Sequence, residues 1–231
     1  PARGLAKPLR SYLDARWGAR ARLAALLGHH DWMAQRFSPA FLRAFYAGQA
    51  QTLARLPARK DSPFEVRLAP SVAASTQREG EIALYLVNAA DDVKLSRLTL
   101  TYLRTAQGPA LVIGGLQGPF GGHKRSVIDS TRLLHGLRPK DATVLAARAL
   151  ARALGLDLLA VSDARHVLER LRGETKHAGY DDYWTERGAT PDPRFGFIFP
   201  PLEEADGADK RDGVKAALVA AADDFARRMS A

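Results

Sequence analysis

Cysteine is absent from all 231 residues. No disulfide framework, thiolate metal site or cysteine nucleophile is therefore available. No apolar run approaches the length of a membrane span, and no signal-peptide pattern opens the chain. A spanning helix and a secretory leader are thus not expected, and a reducing compartment is compatible with the composition. No internal repeat is visible, nor any low-complexity tract beyond alanine-rich stretches of helical character. Acids are scarce at the start: residues 1–60 hold eleven Lys and Arg against Asp14 and Asp31 alone, whereas the rest balances at 23 against 23. The net charge of +9 is therefore concentrated in one arm. Such an arm suits an anionic membrane face, an acidic protein or nucleic acid. No aromatic–basic interleaving and no nucleic-acid motif accompanies it, so nucleic acid is the partner not expected. The plain alternative is a solvated basic face.

What the sequence does contain centres on Ala110 to Val167. Leu111-Val112-Ile113 ends in Gly114-Gly115 and reads as a buried strand stopping at a turn. A glycine-rich loop follows, then a short helical segment with an acid, two hydroxyls and a base. The run HGLRPKD, from His135, then opens a helix. Pro139 suits its first position because the missing N–H would be unpaired there anyway. Asp141 complements the positive end of the dipole, Val144, Ala147, Ala151 and Leu154 recur at helical spacing, and Gly155 is a C-cap. Leu158 to Val161 is a second buried strand. The order is strand, loop, helix, strand.

Upstream, residues 9–56 read as two helices. The first carries Leu9, Tyr12, Leu13, Leu23, Leu26 and Leu27; Ser38-Pro39 caps the second, whose apolar face runs from Phe41, Leu42 and Phe45 to Leu53 and Leu56. Pro57 to Pro63 is a polar connector. It divides a helical N-terminal subdomain, 1–60, from an α/β domain, 61–231. Phe64 to Leu68, Glu81 to Val87 and Lys94 to Arg104 alternate as half-buried strands, the last two forming an antiparallel hairpin through Asn88 to Asp92. Downstream, a short helix is expected at 164–171 and an irregular polar segment at 173–194. A strand follows at Phe195 to Phe199, then a mobile charged segment at 203–212 and an amphipathic helix bearing Val214, Leu218, Ala221, Phe225 and Met229.

Four motifs stand in order along the chain: Gly114-Gly115-Leu116-Gln117-Gly118, His135-Gly136-Leu137-Arg138-Pro139-Lys140, Val161-Ser162 with His166-Val167, and Tyr180-Asp181-Asp182-Tyr183-Trp184-Thr185-Glu186-Arg187-Gly188. Together they resemble the bacterial VirK/YbjX family, also called domain of unknown function 535. They fall in family order across roughly residues 40–200. The resemblance implies a cytoplasmic protein, or one peripheral to the inner membrane, linked to envelope stress, virulence or antimicrobial-peptide resistance. It supplies no reaction. The order of elements is also similar to that of the acetyltransferase-like (GNAT) fold, in which a helix N-terminus after the fourth strand binds the coenzyme A pyrophosphate. The usual glycine-spaced phosphate loop of that fold is absent.

Candidate chemistry follows from residue types. A helix N-terminus is an anion site, and Gly136, Arg138 and Lys140, with Gln117 at the strand end, would hold the pyrophosphate of coenzyme A or an acyl carrier. The alternative is a helix start with solvated bases. His135, His166, Glu186 and Asp181 are the candidate catalytic groups, because histidine and a paired carboxylate move protons near neutrality. Each histidine could equally be structural. No metal ligand set is assigned: His29-His30-Asp31 has ligand types, but adjacent positions rarely face one centre. Ser130, Thr131 and Ser162 lack the G-x-S-x-G elbow of a serine nucleophile.

The expectation is an α/β (α+β) chain with a mixed, mostly antiparallel sheet, flanking helices and acetyltransferase-like order. Its leading function is an acyltransferase-like enzyme, or a descendant of one, acting on a peptide, lipid or other envelope-related acceptor. The alternatives are a non-catalytic envelope-stress factor docking on an anionic membrane or partner through its basic arm, and a metal-dependent peptide-modifying enzyme using His135, His166 and Asp181.

Overall fold

The computed structural model describes residues 9–74, 76–119, 124–167, 179–203 and 210–230. The first helix among the described residues, α1 (Ala19–Arg36), starts later than the apolar spacing suggests. Residues 12–14 form a tight turn instead: the Asp14 N–H bonds the Tyr12 carbonyl at 2.7 Å, and Leu13 between them is buried with φ at 57°. The second helix, α2 (Pro39–Tyr46), begins as expected, with the Ser38 hydroxyl accepting the Phe41 N–H. It does not reach Leu56. Gly48 takes a φ of +86° that ends helical winding, and β1 (Gln51–Leu56) follows as a strand. The sheet therefore begins inside the region read as helical.

β2 (Phe64–Pro70), β3 (Ile82–Asn88), β4 (Val93–Thr105) and β5 (Gly108–Gln117) continue as an antiparallel meander. Next come α3 (Lys124–Leu133), α4 (Pro139–Leu154) and β6 (Asp157–Val161). Pro139 occupies the first turn of α4, and Gly155 closes it in the left-handed region, as the sequence indicates. A 3-10 turn at Asp163–Arg165 stands where a helix is expected; the rest of that helix lies outside the described residues. The same is true of most of the charged 203–212 segment. The irregular stretch holds a short helix, α5 (Tyr180–Thr185), and a strand, β7 (Thr190–Asp192). β8 (Gly196–Phe199) and α6 (Lys210–Met229) end the described chain.

Among the described residues one open sheet of eight strands results, ordered β1-β2-β3-β4-β5-β6-β8-β7. Only β5 and β6 pair in parallel among the described residues, as a strand–helix–strand crossover requires. Leu84, Leu98, Leu100, Ile113, Leu158 and Ala160 point to the face covered by α2, α4 and α6. Val112, Leu159 and Val161 point to the other, where Tyr12, Leu13 and Phe195 cover them. Each fully buried leucine here contributes about 1.5–3 kcal/mol. His29, from the triplet considered for metal, is buried beside β4, where its Nδ1 accepts the Tyr102 N–H at 3.0 Å. His30 instead bonds the Tyr46 hydroxyl through Nδ1 at 2.9 Å.

Candidate functional site

Gly114 and Gly115 do not stop the strand; β5 runs on to Gln117 through an irregularity. Leu100 faces Ile113 while Thr99 faces Gly115, so Gly114 is the extra residue of a bulge. Both glycines lie against the segment that crosses the sheet before β3. A Cβ on Gly114 would overlap the Glu79 carbonyl oxygen, and one on Gly115 would lie 2.5–2.9 Å from the Glu79 carboxyl group. The missing side chains thus admit Glu79, which is buried. The Thr99 hydroxyl holds its backbone, donating to the Glu79 carbonyl at 3.0 Å, and Leu13 N–H bonds the neighbouring Arg78 carbonyl at 2.8 Å.

A polar chain converges on this carboxylate. Gln117 Nε2 donates to its two oxygens at 3.0 and 2.9 Å. His166 Nε2 lies 3.2 Å from Oε1. The Gln117 side-chain Oε1 accepts from the Arg97 guanidinium, itself largely buried on β4. Burial pushes the Arg97 pKa down, while Tyr85 and Glu79 oppose that shift. His166 is buried, and its Nδ1 has no hydrogen-bond partner among the described residues. An unpaired buried polar atom costs about 1–3 kcal/mol, so this atom calls for a reason to be there.

The parallel pair parts beside this cluster. β5 and β6 are in register only as far as Ile113 and Ala160. Beyond that point α5 fills the wedge. The Tyr180 hydroxyl accepts the Leu116 N–H at 3.1 Å and lies 3.2 Å from the Leu116 carbonyl, while Trp184 Nε1 donates to the Val161 carbonyl at 2.9 Å. Tyr180 stacks on Trp184 and its ring centre is 4.8 Å from that of His166. Asp163 and Asp181 anchor this helix reciprocally. Asp163 accepts the Tyr180 N–H at 2.8 Å, and Asp181 accepts the Asp163 N–H at 2.8 Å.

The helix start lies next to the strand end. A Cβ on Gly118 would sit 3.7 Å from Lys140 Cε. Asp141, in the first turn of α4, accepts the Tyr183 hydroxyl at 2.7 Å and Arg187 Nε at 2.6 Å, tying α4 to α5. Burial, then the bond to Asp141, pushes the Tyr183 phenol far above its ordinary pKa. Arg138 is the N-cap of α4 by backbone geometry and its side chain is exposed. His135 and Gly136 both take positive φ, 56° and 86°, and turn the chain from α3 into α4.

The sequence candidates thus fall into separate places. His166 and Gln117 meet at Glu79. Gly136, Arg138 and Lys140 stand at the α4 start. His135 accepts from Arg59 Nε at 3.5 Å, and Glu186, on the surface, pairs with Arg187 at 3.0 Å. Asp181 is spent on the Asp163 backbone. Among the described residues no group of three or more His, Asp or Glu is placed to hold a metal ion, so His135, His166 and Asp181 do not converge. Sequence reasoning missed Glu79 and Arg97. The one local signal for Glu79 is the Gly114-Gly115 pair, which asks what backbone or side chain lies against it.

Fold and site define a mixed α/β protein with an open, mostly antiparallel sheet and a buried ionisable cluster where its parallel strands part. The chain matches the family model DUF535, a protein family of unknown function, over residues 2–205. It belongs to that family, which includes VirK and YbjX. No curated protein and no solved structure matches it. Among the described residues no helix is long and apolar enough to cross a membrane.

Proposed function

We propose that the chain is an acyltransferase-like enzyme, or a descendant of one, that takes an acyl group from a coenzyme A thioester or acyl carrier to an amine or hydroxyl of a peptide, lipid or other envelope-related acceptor. The observation that carries this reading is the parting of β5 and β6 beside the N-terminus of α4. The parting leaves a wedge that Tyr180 and Trp184 of α5 fill, bonding the Leu116 and Val161 backbone, and the α4 start, with Arg138 as its N-cap and Lys140 in its first turn, lies next to the end of β5. A helix N-terminus flanked by Arg138 and Lys140 suits the pyrophosphate of coenzyme A. We read the sheet order as acetyltransferase-like on the same grounds. Acyl transfer needs a held carrier, a base and donors for the developing oxyanion.

The test is calorimetric titration of coenzyme A into wild type and Arg138→Ala. An exposed arginine contributes within about 0.5 kcal/mol to folding. A charge-assisted bond to phosphate contributes about 1.5–3 kcal/mol, tenfold or more in affinity. The variant is expected to melt with wild type and to bind at least tenfold more weakly. A wild type that binds neither coenzyme A nor acetyl-coenzyme A would sink the reading.

A second reading has its own observation. Leu9, Leu23 and Leu27 are exposed in the basic arm, the last two one turn apart on α1. This favours peripheral docking on an anionic membrane. Binding to anionic vesicles should then fall steeply with salt, because exposed charges are screened beyond roughly 10 Å at 0.1 M. Equal binding to neutral vesicles would rule out the electrostatic part, and Leu27→Glu should weaken what remains.

A further inference from the structure

We infer that Glu79 and His166 form the proton-transfer pair of this site, His166 as the catalytic base through Nδ1 and Glu79 as its positioning residue. The inference rests on the acyl-transfer reading for its substrate but on separate geometry for the pair. Three unfavourable features meet at one point. A carboxylate is buried. Two successive strand residues have given up their side chains to admit it. An imidazole nitrogen beside it is buried with no partner among the described residues. A purely structural plug at this position would be served by an apolar side chain, with none of these costs. Sites that break packing and pairing rules together are where function is expected.

The orientation follows from the contacts. Gln117 supplies N–H groups to both Glu79 oxygens, and Arg97 holds Gln117 from the other side. The carboxylate is therefore kept as an acceptor, so His166 donates Nε2–H to it at 3.2 Å. That fixes the tautomer and leaves the lone pair on Nδ1. Tyr180, half-buried, lays its ring against the imidazole on the side of α5. In the reaction the acceptor's N–H or O–H proton passes to Nδ1 as its lone pair closes on the thioester carbonyl. The carbon–sulfur bond then breaks as the carbonyl re-forms, and the imidazolium returns the proton to the departing thiolate. Neither oxidant nor reductant is needed.

Two measurements on the full chain separate this pair from the acyl-transfer reading. The first is labelling with diethyl pyrocarbonate, an acylating probe of neutral imidazole, read at each histidine by mass spectrometry. A base must be reachable, so His166, buried but with Nδ1 unbonded, is expected to react markedly faster than His29, whose Nδ1 is bonded to the Tyr102 N–H. His166 left unmodified while His135 saturates would overturn the pair whatever the donor. The second is thiol release from acetyl-coenzyme A. Glu79→Gln offers an amide donor to Nε2 and reverses the tautomer. It is expected to lose on the order of 10²-fold or more in kcat with little change in KM. Glu79→Asp should regain part of that loss. If wild type turns over and both Glu79→Gln and His166→Gln keep its rate, the pair fails and the acyl-transfer reading stands. If wild type neither binds nor consumes the donor, that reading fails, and the labelling alone decides the pair.

Discussion

Replacing Trp184 by alanine should lower stability by about 3–5 kcal/mol, the usual cost of emptying a buried aromatic site. The ring is completely buried. It stacks on Tyr180 with centroids 5.5 Å apart and meets Tyr183 and Phe199 edge-on at 5.1 and 5.9 Å. Its Nε1–H also holds the Val161 carbonyl at the end of β6. Alanine therefore removes both the filling of the wedge and the partner of a buried carbonyl, and the second loss adds about 1–3 kcal/mol where no water enters. Against a typical stability of about 5–15 kcal/mol this is a large fraction. For a chain of this length the packing loss alone corresponds to a melting point lower by about 6–20 °C. Trp184→Phe restores most of the volume and leaves the carbonyl unpaired, so it should recover more than half of the loss. Thermal and urea denaturation of the three proteins check this. An alanine variant melting within two or three degrees of wild type would mean that α5 does not hold the wedge.

Much of this architecture is local chemistry and can be read from the chain. Pro139 and Gly155 bound α4 because a missing N–H and a free left-handed φ are properties of single residues. The β3–β4 hairpin declares itself by period-two alternation around a polar turn. β1 does not. Leu53 and Leu56 sit three apart and satisfy helical spacing as well as they satisfy a short strand. What decides is Gly48 at positive φ and the pairing of residues 51–56 with β2, which is non-local. Tyr12 and Leu13 fit a helical stripe, yet they sit in a tight turn that plugs against Gly114, Thr101 and the Arg78 carbonyl. The buried cluster was half legible. His166 and Gln117 stand in motifs, but Glu79 lies in an unpatterned polar loop 38 residues before Gln117 and 87 before His166. Glu186 and Asp181 were plausible by type. Only the three-dimensional path of α5 reveals that one is surface-paired and the other caps a turn. Side chains that act together across such separations leave no spacing for sequence to display.

The glycine pair offers the sharpest separation between fold and site. Gly114→Ala should be the more damaging change to the fold. Its methyl would collide with backbone, the Glu79 carbonyl, and would come within 2.7 Å of Leu13 Cδ1. Backbone can yield only if the whole crossing segment shifts, and the Thr99 hydroxyl and the Leu13 amide tie that segment down. Overpacking of this kind costs about 1–3 kcal/mol, and more where the opposing atoms cannot move. Gly115→Ala meets the end of a side chain instead. The Glu79 carboxyl group, 2.5–2.9 Å from the new methyl, has to swing away, and in doing so it leaves Gln117 and His166. The fold should survive with a smaller loss of melting temperature, while the imidazole loses the partner that sets its tautomer. Urea midpoints are expected to rank wild type, Gly115→Ala, Gly114→Ala from most to least stable. Nitrogen-15 spectra of the His166 ring should show Gly115→Ala departing from wild type as Glu79→Gln does. If Gly115→Ala leaves those signals where they are, the carboxylate has room to stay. The glycine at that position would then serve the strand bulge and not the buried pair.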